Sequence, residues 1–356
     1  MEDKLASYVQ LARDAILALI HNEHAVVWLE VEAKLAGRPV GGLSDGINPH
    51  HLTRAKQGLL AAGTIGEVTA QTRGGRIVTV LGLTNRYRRQ RAFEIAAQRR
   101  RVLFARYLGW GTATQERPNL IGAAGERVTH ASLLAAASHG YRLVRPEGGD
   151  VPNLFGQPVP IGPLDSIAHV QIIDDVGRPK ENVTLPIEVK NIRHWVYPDS
   201  SELYELLAKA ALLQMANPGV SFMPVLVCRK VHYTTFRMAK DLGFFVAQAR
   251  AQFVLPYAEV TPDHAEELRR ELGFADLVLS QEAHRPLVAL FRTTIPQVAE
   301  EKAKTFAASA EMLARFSQFL RLDDTRLRGE TLATREEIMN ELRDEARTLS
   351  WVQGGW

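Results

Sequence analysis

The strongest constraint on this chain is a pair of β-patterned runs, Leu164 to Ile173 and Val183 to Lys190, separated by the turn-forming stretch Asp174 to Asn182. Runs rich in Val and Ile that are bounded by Asp, Gly, Pro and Asn pair as antiparallel neighbours. The surrounding pattern alternates. Helices are expected at Gly125 to His139, Ser201 to Asn217 and Thr234 to Leu242, with further strands at Tyr141 to Arg145, at Pro224 to Arg229 and from about Gly243. Between Leu120 and Pro256 the chain therefore reads as an α/β layer with a hairpin at its centre.

That hairpin gathers charge. Its turn is centred near Arg178, so paired positions sum to about 356 and Asp165 faces a residue within a couple of positions of 190. Glu188 and Lys190 are two apart and share a face, whereas Ile187 and Val189 point to the other. The sequence holds four Glu-x-Lys triplets, and Glu2-Asp3-Lys4, Glu32-Ala33-Lys34 and Glu300-Glu301-Lys302 fall on a tail or on helices, where charge meets water. Only Glu188-Val189-Lys190 ends an apolar strand beside an aspartate. Buried strands seldom finish in two charges without a reason, because desolvating them is costly.

Pro163-Leu164-Asp165, then Ile187-Glu188-Val189-Lys190, preceded by the helix Gly125-Glu126-Arg127-Val128 leading to His139-Gly140-Tyr141 and followed by a helix bearing Gln214, resemble the PD-(D/E)XK, or restriction-endonuclease-like, nuclease superfamily. The resemblance covers about 130 of the 356 residues and departs in setting the proline two positions before the aspartate. It implies an αβββαβ domain with a mixed sheet over 118–256, and a hydrolase, an endonuclease cutting DNA phosphodiester bonds. It further implies Asp165, Glu188 and the Val189 carbonyl as oxygen ligands of Mg²⁺, with Mn²⁺ as a substitute. Glu126 would partly hold a second ion, Lys190 would orient the attacking water, and Gln214 would be a further site residue. The implied setting is prokaryotic restriction, antiviral defence or DNA repair, with DNA as partner and a homodimer or a partner subunit of a defence system as further associations. An RNA-directed nuclease, or a non-catalytic DNA-binding regulator with a nuclease-like fold, is the alternative.

The front of the chain has another pattern. Helices are expected from Lys4 to Asn22, from Trp28 to Ala36 and, after Asn48 as N-cap and Pro49 behind it, to about Ala62. Strands Thr64 to Thr72 and Arg76 to Leu83 flank the turn Arg73-Gly74-Gly75-Arg76. This order resembles a winged-helix domain over 1–84. The resemblance implies a third helix in the major groove and a hairpin tip on phosphate, which sets His50, His51, Thr53, Arg54, Lys56, Gln57, Arg73 and Arg76 near DNA. Winged helices also serve as protein–protein modules.

From Arg86 to Arg106 eight arginines face one acid, Glu94, so this stretch carries +7 in a chain whose total is +3, and the rest is net acidic. It is expected to be a basic helical connector over 85–117, with Arg88, Arg91, Arg99 and Arg106 on roughly one face for tracking phosphate. A solvated interdomain helix is the alternative.

The single cysteine, Cys228, excludes an intramolecular disulfide framework and any zinc site needing two thiolates from one chain. The first residues lack the pattern of a signal peptide, and no apolar run approaches the ~18 residues a membrane span needs, so a soluble, cytoplasmic protein with no membrane partner is expected. Gly42-Leu43-Ser44-Asp45-Gly46 has the spacing of a nucleophile elbow, but no strand precedes it and it reads as a turn. His169 shares the strand face of Asp165. Arg193 and His194 follow Lys190 closely and either contact phosphate or face solvent. Beyond Pro256 a helical C-terminal region, 257–356, is expected, with helices at Pro262 to Leu272, Val298 to Leu322 and Ala333 to Trp351 and an apolar stripe of Met312, Phe316, Phe319 and Leu320.

Overall fold

The computed structural model describes residues 2–37, 39–43, 46–84, 90–198 and 200–315. The fold is mixed α/β, and its internal contacts separate two units. The first holds residues 1–120 and 256–279, the second residues 121–255 and the described residues from Ser280. Expectations that fall on Ser44, Asp45, Arg86, Arg88, Arg89, Phe316, Phe319, Leu320 and the helix Ala333 to Trp351 lie outside the described residues.

In the first unit helices α1 (Glu2–Glu23), α2 (Trp28–Leu35) and α3 (Pro49–Ala61) precede the strands β1 (Ile65–Gln71) and β2 (Ile77–Leu83). The Asn48 side chain accepts from the His50 amide at 2.9 Å, with Pro49 opening α3 as the sequence indicates. β1 and β2 pair antiparallel from Ile65 opposite Leu83 to Gln71 opposite Ile77, and Gly75 turns the chain at a φ of +79°. Helix α4 (Arg91–Trp110) is expected to be a connector, and it differs: Phe93, Ala97, Leu103, Tyr107 and Trp110 are buried within this unit. Gly82 leaves the space on β2 that the Phe93 ring fills. The sequence boundary at 257 shifts for the same reason, because helix α8 (Pro262–Leu272) buries Ala265, Leu268 and Leu272 and belongs with α4 in the first unit.

In the second unit α5 (Leu120–Ala136) leads to β3 (Tyr141–Leu143), a small hairpin β4 (Asn153–Leu154) and β5 (Gln157–Pro158), and the long pair β6 (Ser166–Ile173) and β7 (Pro179–Lys190). Then come α6 (Ser201–Ala216), β8 (Ser221–Phe222), β9 (Val225–Cys228), α7 (Tyr233–Leu242) and β10 (Phe245–Gln248), and, after the return from the first unit, α9 (Arg285–Ala289) and α10 (Ile295–Ala314). The sheet order is β10-β9-β7-β6-β3, with β8 also on β7. β3 and β7 run antiparallel to β6, while β9 runs parallel to β7 and β10 parallel to β9, which makes the sheet mixed. Ile167 of β6 packs with Leu203, Leu206 and Leu207 of α6 and Phe306 of α10 in one apolar core. α5 packs on the other face, and Gly125 makes that possible. A Cβ there would stand 2.5 Å from the Asn191 Cβ and 3.1 Å from Val189 Cγ1.

Candidate active site

The register places Ser166 opposite Ile187. Asp165, one residue before β6, therefore lies across from Glu188, and its Oδ2 accepts from the Val189 amide at 2.6 Å. Alternation along β7 turns Glu188 and Lys190 toward α6 and Val189 toward α5. Glu188 is buried, and its Oε1 accepts from Lys190 Nζ at 2.8 Å.

Helix α6 adds a second cation. Lys209 is buried; its Nζ pairs with Glu205 at 2.6 Å, donates to the Pro163 carbonyl at 2.8 Å and lies 3.7 Å from Glu188 Oε2. At 3.7 Å no hydrogen bond forms. Glu188 Oε2 is thus a buried carboxylate oxygen with no hydrogen-bond partner. Lys209 and Glu205 went unread in the sequence, although their i, i+4 spacing on an otherwise apolar helix face is a visible signal.

The acids crowd one another. Burial first, then the charges of Glu188 and Glu126, push the Asp165 carboxyl up to about 7, against the Val189 hydrogen bond and Lys190, which favour its charged form. Glu126, on α5 and partly open to solvent, is raised by desolvation and then by Asp150 and Glu188. Lys190 moves upward: burial opposes its charge, but Glu188 and then Asp165 outweigh it. Asp165, Glu188, Lys190 and Glu126 therefore share one electrostatic neighbourhood.

Gln214 does not join them. Its amide donates to the carbonyls of Asn217 and Val220 at the far end of α6, closing the turn before β8. Comparison with protein-family models, curated proteins and solved structures finds no match to this chain. What the site can do is therefore argued from its chemistry.

Among the described residues no three His, Cys, Asp or Glu side chains form a ready-made cation cage. The donor set nevertheless suits a hard divalent cation. Carboxylates that repel each other, with one buried oxygen lacking any hydrogen bond, gain from a positive charge, and Mg²⁺ binds through one or two carboxylates while keeping several waters. Cys228 offers no alternative chemistry, because complete burial pushes its thiol up to about 12.

Of the other sequence-expected residues, His169 is half-buried and bonds Thr184 Oγ1 at 3.1 Å, four pairs along the hairpin from Asp165. In the first unit Thr53, Arg54 and Gln57 are exposed on α3, with Arg73 on the hairpin tip and Arg91 at the start of α4, and Arg76 is half-buried. Lys56 is engaged by Glu67 at 3.0 Å and by the Trp28 ring at 5.1 Å. His51 stacks on Tyr8 with ring centroids 5.5 Å apart, and burial together with neighbouring charge lowers the pKa of His50 and His51. The expectation of a free basic face on α4 is altered most. Arg99 and Arg106 both bind Glu267 of α8, and Arg100 is buried against Glu23 and Glu30.

Proposed function

We propose that the protein is a metal-dependent nuclease that hydrolyses DNA phosphodiester bonds at Asp165, Glu188 and Lys190. One observation carries this reading: two neighbouring strands bring two carboxylates and a lysine to one end of a buried sheet, with Glu126 beside them and an oxygen of Glu188 lacking a hydrogen bond. Asp165, Glu188 and the Val189 carbonyl would hold Mg²⁺, whose bound form supplies Lewis acidity and charge neutralisation at a phosphate. Lys190, kept protonated by Glu188 and Asp165, offers a donor to an attacking water and to the negative charge that builds on the phosphorus oxygens. Glu126, whose carboxyl is pushed upward by burial and then by Asp150 and Glu188, stands beside them as a further group for proton exchange. Lys209 ties Pro163, and through it the start of β6, to Glu188 and Glu205. It is a positioning group.

In this reading the first unit is a winged-helix module that contacts DNA through the exposed Thr53, Arg54 and Gln57 of α3 and through Arg73. Arg99 and Arg106 serve packing with α8 instead of phosphate. The test is incubation of the whole chain with plasmid, linear duplex and single-stranded DNA in Mg²⁺, Mn²⁺ or EDTA. Cleavage that needs the metal and disappears in Glu188→Ala supports the proposal, and cleavage that persists in Glu188→Ala contradicts it.

A further inference from the structure

Residues 191–198 follow directly on Lys190 in the sequence and precede α6, so they lie between two elements of the site just described. It runs beside a second loop. Lys190 pairs with Cys228 across the parallel strands β7 and β9, and beyond them the two chains stay joined: the Val196 amide donates to the Lys230 carbonyl at 3.0 Å and the His232 amide to the Val196 carbonyl at 2.9 Å. Both loops therefore leave the same end of the sheet, the end that carries Glu188 and Lys190. Trp195 lies five residues beyond Lys190, so at most ~18 Å of extended chain separates them.

These loops carry rings and cations. Lys230 Nζ stands 5.4 Å from the centroid of the Trp195 ring, and Tyr197 stacks on His232 at 5.0 Å with 19° between planes. Beyond His232, which caps α7 by accepting from the Thr234 amide, Tyr233 and Phe236 stand one helical turn apart, 67% and 40% exposed. The support beneath is hydrogen-bonded. Arg229 donates to the Arg193 carbonyl at 2.6 Å, and Thr235 Oγ1 donates to the Val196 carbonyl at 3.0 Å. The expectation of Arg193 as a phosphate contact thus gives way to a structural role, since that side chain is buried.

We infer that this patch is a stacking platform for unpaired nucleobases, so that the substrate strand next to the scissile phosphate is single-stranded. The inference rests on the nuclease reading and names its substrate class. In a duplex the ring faces of the bases are already stacked on one another, whereas a splayed strand offers a face to each exposed aromatic ring and its phosphates to Lys230. Two exposed rings at the start of α7, next in sequence to the loop that sets Lys230 over the half-buried Trp195, are matched to such a strand.

The test uses the full chain in EDTA, with a fluorescein-labelled single-stranded oligonucleotide and the same sequence as a blunt duplex, read by anisotropy over a range of salt. The double substitution Tyr233→Ala/Phe236→Ala, at surface positions that leave the fold intact, should weaken single-strand binding roughly tenfold or more and duplex binding less than about twofold. Lys230→Gln should lower the salt slope for the single strand by about 0.7. Equal weakening for both DNAs, or unchanged single-strand affinity, would overturn the inference. Unchanged affinity in a variant that loses a dimer seen by sedimentation would assign the patch to protein contact instead. Because binding is read without metal or cleavage, an absence of nuclease activity and an absence of base stacking are separate outcomes.

Discussion

The α4 arginines and the carboxylates at the end of β6 and β7 show two opposite ways of holding charge. On α4, Arg100 is 7% exposed and is met by Glu30, which has no exposed surface, and by Glu23, while Lys34 binds both acids at 2.7 Å. Burial works against the Arg100 charge, and Glu30 and Glu23 more than offset it. In this network two cations, Arg100 and Lys34, face two acids, Glu23 and Glu30. At the strand ends Asp165, Glu188 and Glu126 crowd together, and the cations present, Lys190 and Lys209, leave one Glu188 oxygen without a hydrogen bond. The same residue types are neutralised in one place and left crowded in the other, and it is on the crowded set that the proposed chemistry rests.

The comparison can be broken at three points of decreasing size. Arg100→Ala strands Glu30 in the interior with Lys34 as its remaining partner, and it should cost about 3 to 5 kcal/mol in urea unfolding of the first unit. A loss below about 1 kcal/mol would show that the network is ornamental. Asp165→Asn acts in the opposite direction. Because burial and then Glu188 push the native carboxyl up to about 7, against roughly 3.9 in an unfolded chain, the metal-free native state holds the extra proton, and stability falls as the pH rises between those values. In EDTA the variant should therefore be more stable than the parent at pH 8 by about 2 to 4 kcal/mol and indistinguishable from it near pH 4. Hydrogen exchange of the β6 amides reads this, and an equal difference at both pH values would refute the raised pKa. Smallest is Arg99→Ala. With a 42% exposed side chain and a solvent-screened pair with Glu267, it should cost less than about 1 kcal/mol of stability and leave DNA affinity nearly unchanged, as a salt titration would show.

Local signals were strong where one residue decides the geometry. Asn48 and Pro49 start α3, Gly75 turns the first hairpin, and the turn after Asp174 fixes a register that sets Asp165 across from Glu188. Alternation along β7 then assigns Glu188 and Lys190 to one face. What stayed hidden depends on partners distant in sequence. The arginines of α4 read as a free basic stripe because Glu267 lies 161 residues beyond Arg106. Gln214 is the α6 residue that the resemblance singles out, yet it is Lys209, earlier on α6 and paired with Glu205, that reaches Glu188 and Pro163. The role of Gly125 was also invisible, since only the approach of Asn191 and Val189 shows why α5 tolerates no Cβ there.

The central claim is that the crowded carboxylates take up a divalent cation, and calorimetric titration of the metal-free protein with Mn²⁺ tests it most directly. The account predicts binding to the parent protein that is lost, or weakened at least about tenfold, in Glu188→Gln and Asp165→Asn, both of which keep the shape of the side chain. Mn²⁺ binding of the same strength in the parent and both variants, or no binding to the parent at millimolar concentration, would contradict it.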